Sequence, residues 1–280
     1  MDSNYLGYYR KHIVCIPMDV IRFVVQHKMV KAFELYIFLK CHSSGKVHKD
    51  SSLFHSISGV LDIRDQRTIK SYLAALLKLN WIGFNPVSGY YFIRGFSYTR
   101  KAHHFKNRKA AIFDYRKIEG LADCFLPGAL ICEQIKAQQY YWEVSPRRRA
   151  KFATKKLGVA NQDFPASATS DKPLFYGLSN KRIAELLFCK MTRACELKQQ
   201  AETGGYLKTK KRFNEIAQLT KPDFTIRKTI RQNHPELGKR VRFRTRRVRR
   251  HTVIEVLQQL HDEIVPSVEF KNIQRYNRIR

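Results

Sequence analysis

LSNKRIAELLFCKMTRACELKQQAE, residues 178–202, is the segment around which the chain is organised. Ser179 is an expected N-cap, because its hydroxyl can accept a hydrogen bond from a first-turn backbone N–H that would otherwise be unpaired. A first helix then runs to about Leu187, with Ile183 and Leu187 on one face. Phe188, Cys189 and Lys190 make a short turn, Thr192 caps again, and a second helix carries Ala194, Leu197 and Ala201 at the three-to-four spacing of a buried stripe. Two helices that cross steeply need a small residue where they touch, and Ala184 supplies it. On the other face of the second helix Thr192, Arg193, Glu196, Gln199 and Gln200 point away from the packing, and Gly204 and Gly205 stop the helix.

These residues resemble a helix-turn-helix. The resemblance implies that the second helix enters the major groove of duplex DNA, where Arg pairs with guanine, Gln with adenine and Glu with the cytosine amine. The expected base-reading residues are therefore Thr192, Arg193, Glu196, Gln199 and Gln200. The chain departs from the pattern at the turn, where the family favours Gly in a left-handed conformation and Phe188 stands instead. An ordinary helical hairpin within a larger core is the alternative.

Charge points the same way. In 280 residues, 53 Lys+Arg against 23 Asp+Glu give a net charge of +30, more than solubility requires, and imply a polyanionic partner. Nucleic acid comes first and an anionic membrane second. The longest N-terminal apolar run, residues 13–25, is broken by Pro17, Asp19 and Arg22, too short and too charged for a membrane span or a signal peptide. The six cysteines form no C-x-x-C pair and read as reduced core thiols, with a cytoplasmic location in a bacterial or phage-infected cell. His103 and His104 lack a neighbouring cluster of metal ligands and read as solvated or phosphate-facing.

The N-terminal part repeats the theme. A strand over residues 9–16 leads into a short helix at Pro17, and helices follow over residues 31–40, 52–61 and 65–79. The last has Ile69, Leu73, Leu76 and Leu77 inside and Gln66, Arg67, Lys70 and Ser71 outside. Two aromatic runs, residues 81–84 and 90–94, flank the turn cluster 85–89 and predict a β-hairpin, whose Tyr90 and Tyr91 read as core or dimer contacts rather than a base-stacking platform. Leu61, Ile63, Thr68, Ile69, Tyr72, Leu73 and Leu76 resemble the recognition helix of winged-helix proteins, a resemblance covering about residues 31–94. It implies base contacts from Gln66, Arg67 and Lys70.

Between these modules Asp114 is expected to cap a helix to Ala122, and Pro127 to open a longer one with Leu130, Ile131, Ile135 and Tyr141 on its apolar side. Arg147 to Arg149 and Lys155–Lys156 form a basic run, and NQDFPASATSDKP, residues 161–173, has the composition of a loop and marks a domain boundary. After the second helix-turn-helix, Lys208, Lys210 and Arg212 alternate along a basic wing strand, and Arg240, Arg242, Arg244 and Arg246 alternate along another. Residues 205–250 carry 16 Lys/Arg against 3 Asp/Glu, a concentration that argues for phosphate binding by these residues and Lys190. Residues 252–264 fit a short helix, with a strand as the alternative, and residues 270–280 read as a basic tail.

No phosphate-binding G-x-x-x-x-G-K-[ST] loop, H-E-x-x-H or G-x-S-x-G occurs, nor the histidine pair of a nicking enzyme, so no catalytic residue, metal or cofactor is expected. The expected architecture is α+β: two winged-helix modules, residues 1–100 and 174–280, joined by a helical connector and loop over residues 101–173. Two such modules in one basic chain resemble plasmid and phage replication initiators. The resemblance implies double-stranded DNA as partner, with replication proteins and a second copy of the chain as further candidates. Replication is preferred to transcriptional control because no separate ligand-sensing domain is evident. A transcription regulator or a non-specific RNA-binding nucleoprotein component remains the alternative.

Overall fold

The computed structural model describes residues 12–63, 65–143, 175–219, 241–248, 251–259 and 262–273. It is an α+β chain with small antiparallel sheets. Its contacts define two compact units, one of residues 1–134, 180–207 and 266–280, the other of residues 135–179 and 208–265. The basic run at Arg147 to Arg149, the loop over residues 161–173 and Arg240 lie outside the described residues.

The first unit begins with β1 (Ile13–Pro17), where Pro17 takes the extended conformation that ends the strand and precedes α1 (Met18–Gln26). In α2 (Val30–His42) every residue from Ala32 to Leu39 is buried, so this helix forms the centre of the unit. A helix that is apolar on nearly all sides can be stable only with neighbours on every side. Those neighbours include Trp81, whose indole packs 5.5 Å from Tyr36, 5.9 Å from Phe33 and 6.0 Å from Phe23.

The chain then runs β2 (Lys46–His48), α3 (Ser52–Val60), α4 (Gln66–Lys78), β3 (Ile82–Asn85) and β4 (Tyr90–Ile93), and the strands pair antiparallel in the order β2-β4-β3. Ile69, Leu73 and Leu76 of α4 are buried as the spacing predicts, but Leu77 is exposed. It sits one position beyond the stripe, where 100° of rotation carries it out of the core. His103 is likewise corrected from a solvated residue to a structural one: its Nε2 accepts the Trp81 indole N–H at 2.9 Å.

After α5 (Phe96–Ala102), β5 (Lys109–Asp114) is a strand within the segment expected to be a helical connector and loop. It is the middle strand of a second antiparallel sheet, β1-β5-β11, in which β11 (Phe270–Asn272) belongs to the segment expected to be a tail. Asp114 does cap the following turn, accepting from the Arg116 backbone N–H at 3.1 Å. A 3-10 segment (Tyr115–Gly120), a π turn (Leu121–Phe125) and α6 (Leu126–Glu143) follow, with Leu130, Ile131, Ile135 and Tyr141 buried. The pair α7 (Asn180–Leu186) and α8 (Met191–Thr203) completes the unit.

In the second unit β6 (Leu207–Lys210) pairs with β10 (Glu263–Pro266), and β7 (Phe213–Leu219), β8 (Val241–Val248) and β9 (His251–Gln259) pair in the order β7-β9-β8. Residues 252–259, expected as part of a short helix with a strand as the alternative, are thus strand, and Glu263 and Ile264 belong to β10. Thr252, Val253, Ile254 and Val256 are β-branched, and β9 gains ladder hydrogen bonds on both edges, which outweighs a coincidental three-to-four spacing.

Candidate nucleic-acid interface

Asp65 is the N-cap of α4, its carboxylate accepting from the Arg67 N–H at 2.8 Å. Gln66, Arg67, Lys70 and Ser71 all lie exposed on the face opposite the buried stripe. Arg67, Lys70 and Lys78 have no carboxylate partner among the described residues. The turn between α3 and α4 passes through Asp62 at φ +47°, a left-handed position that Asp tolerates better than most side chains. Beyond α4 the β3–β4 turn is organised by Asn85, whose side-chain oxygen accepts from Val87 N at 2.9 Å and Ser88 N at 3.3 Å, and Val87 projects with 96 % exposure.

The α7–α8 pair has Ile183, Ala184 and Leu187 buried, and its turn places Phe188 at φ +51° with the ring about half exposed. The left-handed turn is therefore present without the expected glycine. Two details differ from the sequence reading. Lys190, not Thr192, is the cap residue of α8, and it contributes no side-chain cap. The buried stripe is Ala194, Lys198 and Ala201, with Leu197 only partly buried. Small residues let α8 approach α6 closely: a Cβ on Gly128 would stand 3.4 Å from that of Ala201.

Of the expected base readers on α8, Thr192, Arg193, Glu196 and Gln199 are exposed, whereas Gln200 is half-buried and its Oε1 is buried without a hydrogen-bond partner. Arg193 is committed elsewhere, donating to Asp123 at 2.8 Å and to Glu196 at 3.0 Å. The helix carries two cations, Arg193 and Lys198, against two carboxylates, Glu196 and Glu202, so it has no excess charge for phosphate. Asp123 gave no signal in the sequence, since it lies 70 positions from its partner.

Among the expected phosphate ligands, Lys190, Lys208 and Lys210 are exposed. Arg212 donates through Nε to Glu263 at 2.7 Å and lies 5.9 Å from the Phe175 ring centroid. Arg244 on β8 is exposed and faces the buried carboxylate of Glu255 on β9 at 3.9 Å. Arg242 and Arg246 occupy the alternate β8 positions either side of it, opposite Leu257 and Val253. Among the described residues no group of three or more His, Cys, Asp or Glu could hold a metal ion, and no helix is long and apolar enough to cross a membrane. Comparison with known proteins returns no match: no family model fits the chain, and no curated protein or solved structure is significantly similar to it.

Proposed function

We propose that the chain binds duplex DNA in a sequence-dependent way, with α4 as the principal reading helix, and that it serves replication initiation of a plasmid or phage-like element. The run α2, β2, α3, α4, β3, β4 with sheet order β2-β4-β3 is the element order that a winged-helix module would use, and the α7–α8 pair is what a second helix-turn-helix would use. The observation that carries the reading is the solvent face of α4. There Gln66, Arg67 and Lys70 stand uncommitted on a capped, rigidly packed helix, whereas the matching arginine of α8 is held by two carboxylates. An uncommitted Arg can pair with guanine without first giving up an ion pair. The initiation role rests on the resemblance alone, and a transcription regulator would use the same contacts.

The test is selection from a random duplex library, followed by binding of the enriched duplex and of bulk DNA. Arg67→Ala is expected to cost about 1–3 kcal/mol on the enriched duplex and little on bulk DNA, and Arg193→Ala to cost less. Failure to enrich any sequence would leave only a non-specific grip, as expected of a nucleoprotein component. A loss confined to Arg193→Ala would return base reading to α8. Co-isolation of replication proteins on the enriched duplex separates initiation from transcriptional control.

A further inference from the structure

We infer that the outer face of the sheet β2-β4-β3 is a binding site for single-stranded nucleic acid, with Phe92 as the stacking surface and Lys46 and Arg94 as the phosphate contacts. The register aligns Lys46, Phe92 and Gly83 in one row across the three strands, and His48, Tyr90 and Asn85 in the next. Alternation along β4 sends its neighbours the other way. Tyr91 stacks on Phe54 at 5.1 Å and packs on Phe84 at 4.6 Å, and burial pushes its hydroxyl above the usual tyrosine range. Of the two tyrosines in the hairpin, then, Tyr91 is structural, and the outward pair is Tyr90 and Phe92.

Phe92 is 43 % exposed at the centre of its sheet. On one side Gly83 brings no side chain of its own beside the ring, and on the other stands Lys46, whose ammonium is also 5.6 Å from the Tyr90 ring centroid. Arg94 follows two residues on, its guanidinium 4.2 Å from the Tyr98 ring centroid and 3.6 Å from where a Cβ on Gly83 would be. Its Nε is buried without a hydrogen-bond partner, and neither Arg94 nor Lys46 has a carboxylate partner among the described residues.

An open ring flanked by two cations that meet no carboxylate among the described residues suits a ligand that offers both a π face and a phosphate. A duplex hides its base faces within the stack, so only an unpaired base can use Phe92. Rows about 7 Å apart along the strands leave room for successive bases of an extended chain. A second copy of this protein is a poorer occupant, because a two-fold contact would bring Lys46 and Arg94 against their own counterparts. The site is independent of whether α4 selects a duplex.

The test is equilibrium binding of a short oligo-dT to the full chain at about 0.3 M salt, where contacts made through phosphate alone are weakened. Phe92→Ala is expected to weaken binding roughly five- to 150-fold, the equivalent of one lost stacking contact, while duplex affinity stays unchanged. Lys46→Gln, which leaves the ring in place, should flatten the salt slope of log K by about 0.7. In the unaltered chain, 5-iodouracil within the oligonucleotide should photocrosslink to Phe92 or Tyr90. Unchanged oligonucleotide affinity in a natively folded Phe92→Ala would overturn the assignment. So would crosslinks confined to the basic strands, or an effect of Phe92→Ala on self-association alone.

Discussion

The left-handed turn at Phe188 can be tested by substituting the same position twice. Phe188→Ala and Phe188→Gly remove the same half-exposed ring, so the packing they lose is common to both and cancels in the comparison. What differs is the backbone at φ +51°. A residue with a Cβ gives up about 1–2 kcal/mol there, whereas glycine gives up nothing. Glycine also gains freedom in the unfolded chain, which returns about 0.4–1 kcal/mol. The net expectation is that Phe188→Gly is about 1 kcal/mol more stable than Phe188→Ala, the reverse of the order at a right-handed helical position. Urea unfolding of the full chain, followed by Trp81 emission in a Trp142→Phe background, reports on the unit that contains Phe188. The glycine variant should unfold at a midpoint about 0.5 M higher. An alanine midpoint equal to or above that of glycine would mean that the turn is not left-handed, and the helix-turn-helix reading of residues 178–202 would lose its geometric support.

Asp65→Ala removes the cap of α4 and should lower stability by about 0.5–2 kcal/mol, read as a lower urea midpoint by the same emission. Gly89→Ala places a Cβ at φ +69° and 2.7 Å from His48 Nε2, so a loss of more than about 1 kcal/mol is expected in thermal unfolding, and a neutral result would contradict the turn geometry. Burial pushes the Glu34 carboxyl above its usual range, although Lys31 Nζ donates to it at 2.8 Å. The folded state then holds a proton that the unfolded state releases, so the unaltered protein loses stability as pH rises from the ordinary glutamate range through the raised value. Glu34→Gln does not titrate, and its stability relative to the unaltered protein should climb across that window and level off above it. A flat or falling difference in pH-dependent unfolding would show that the Lys31 contact outweighs burial.

What was legible in the sequence was local. The stripe of Ile69, Leu73 and Leu76, the Asp65 cap and the turn cluster at residues 85–89 each act within a few residues, and so α4 and its hairpin were readable. The failures share a non-local cause. Residues 252–259 show a helical spacing in Val253, Val256 and Leu257, and only pairing with β7 and β8 decides for strand. On α8 the buried stripe passes through Lys198 rather than Leu197, because a long aliphatic stem can occupy an interior position that a polarity pattern assigns to solvent. Candidate site residues were found where exposure followed from helix phase, as with Gln66, Arg67 and Lys70. They were misjudged where a distant partner intervened, as Asp123 does for Arg193 and Glu263 for Arg212. Phe92 gives no separate signal in the sequence, because only the register of three short strands divides its face from that of Tyr91.

The place of β11 in its sheet sets a timetable for synthesis. β5 is complete at Asp114, but one of its edges waits for Phe270–Asn272, about 160 positions later. At 5–20 residues per second the ribosome needs roughly 8–30 s to deliver that partner. During this interval β5 carries an open, hydrogen-bond-hungry margin, and the whole of the inserted unit emerges into the cell. A nascent-chain chaperone, or early folding of the insertion, would therefore bear on the yield of this protein more than the final stability of the sheet does.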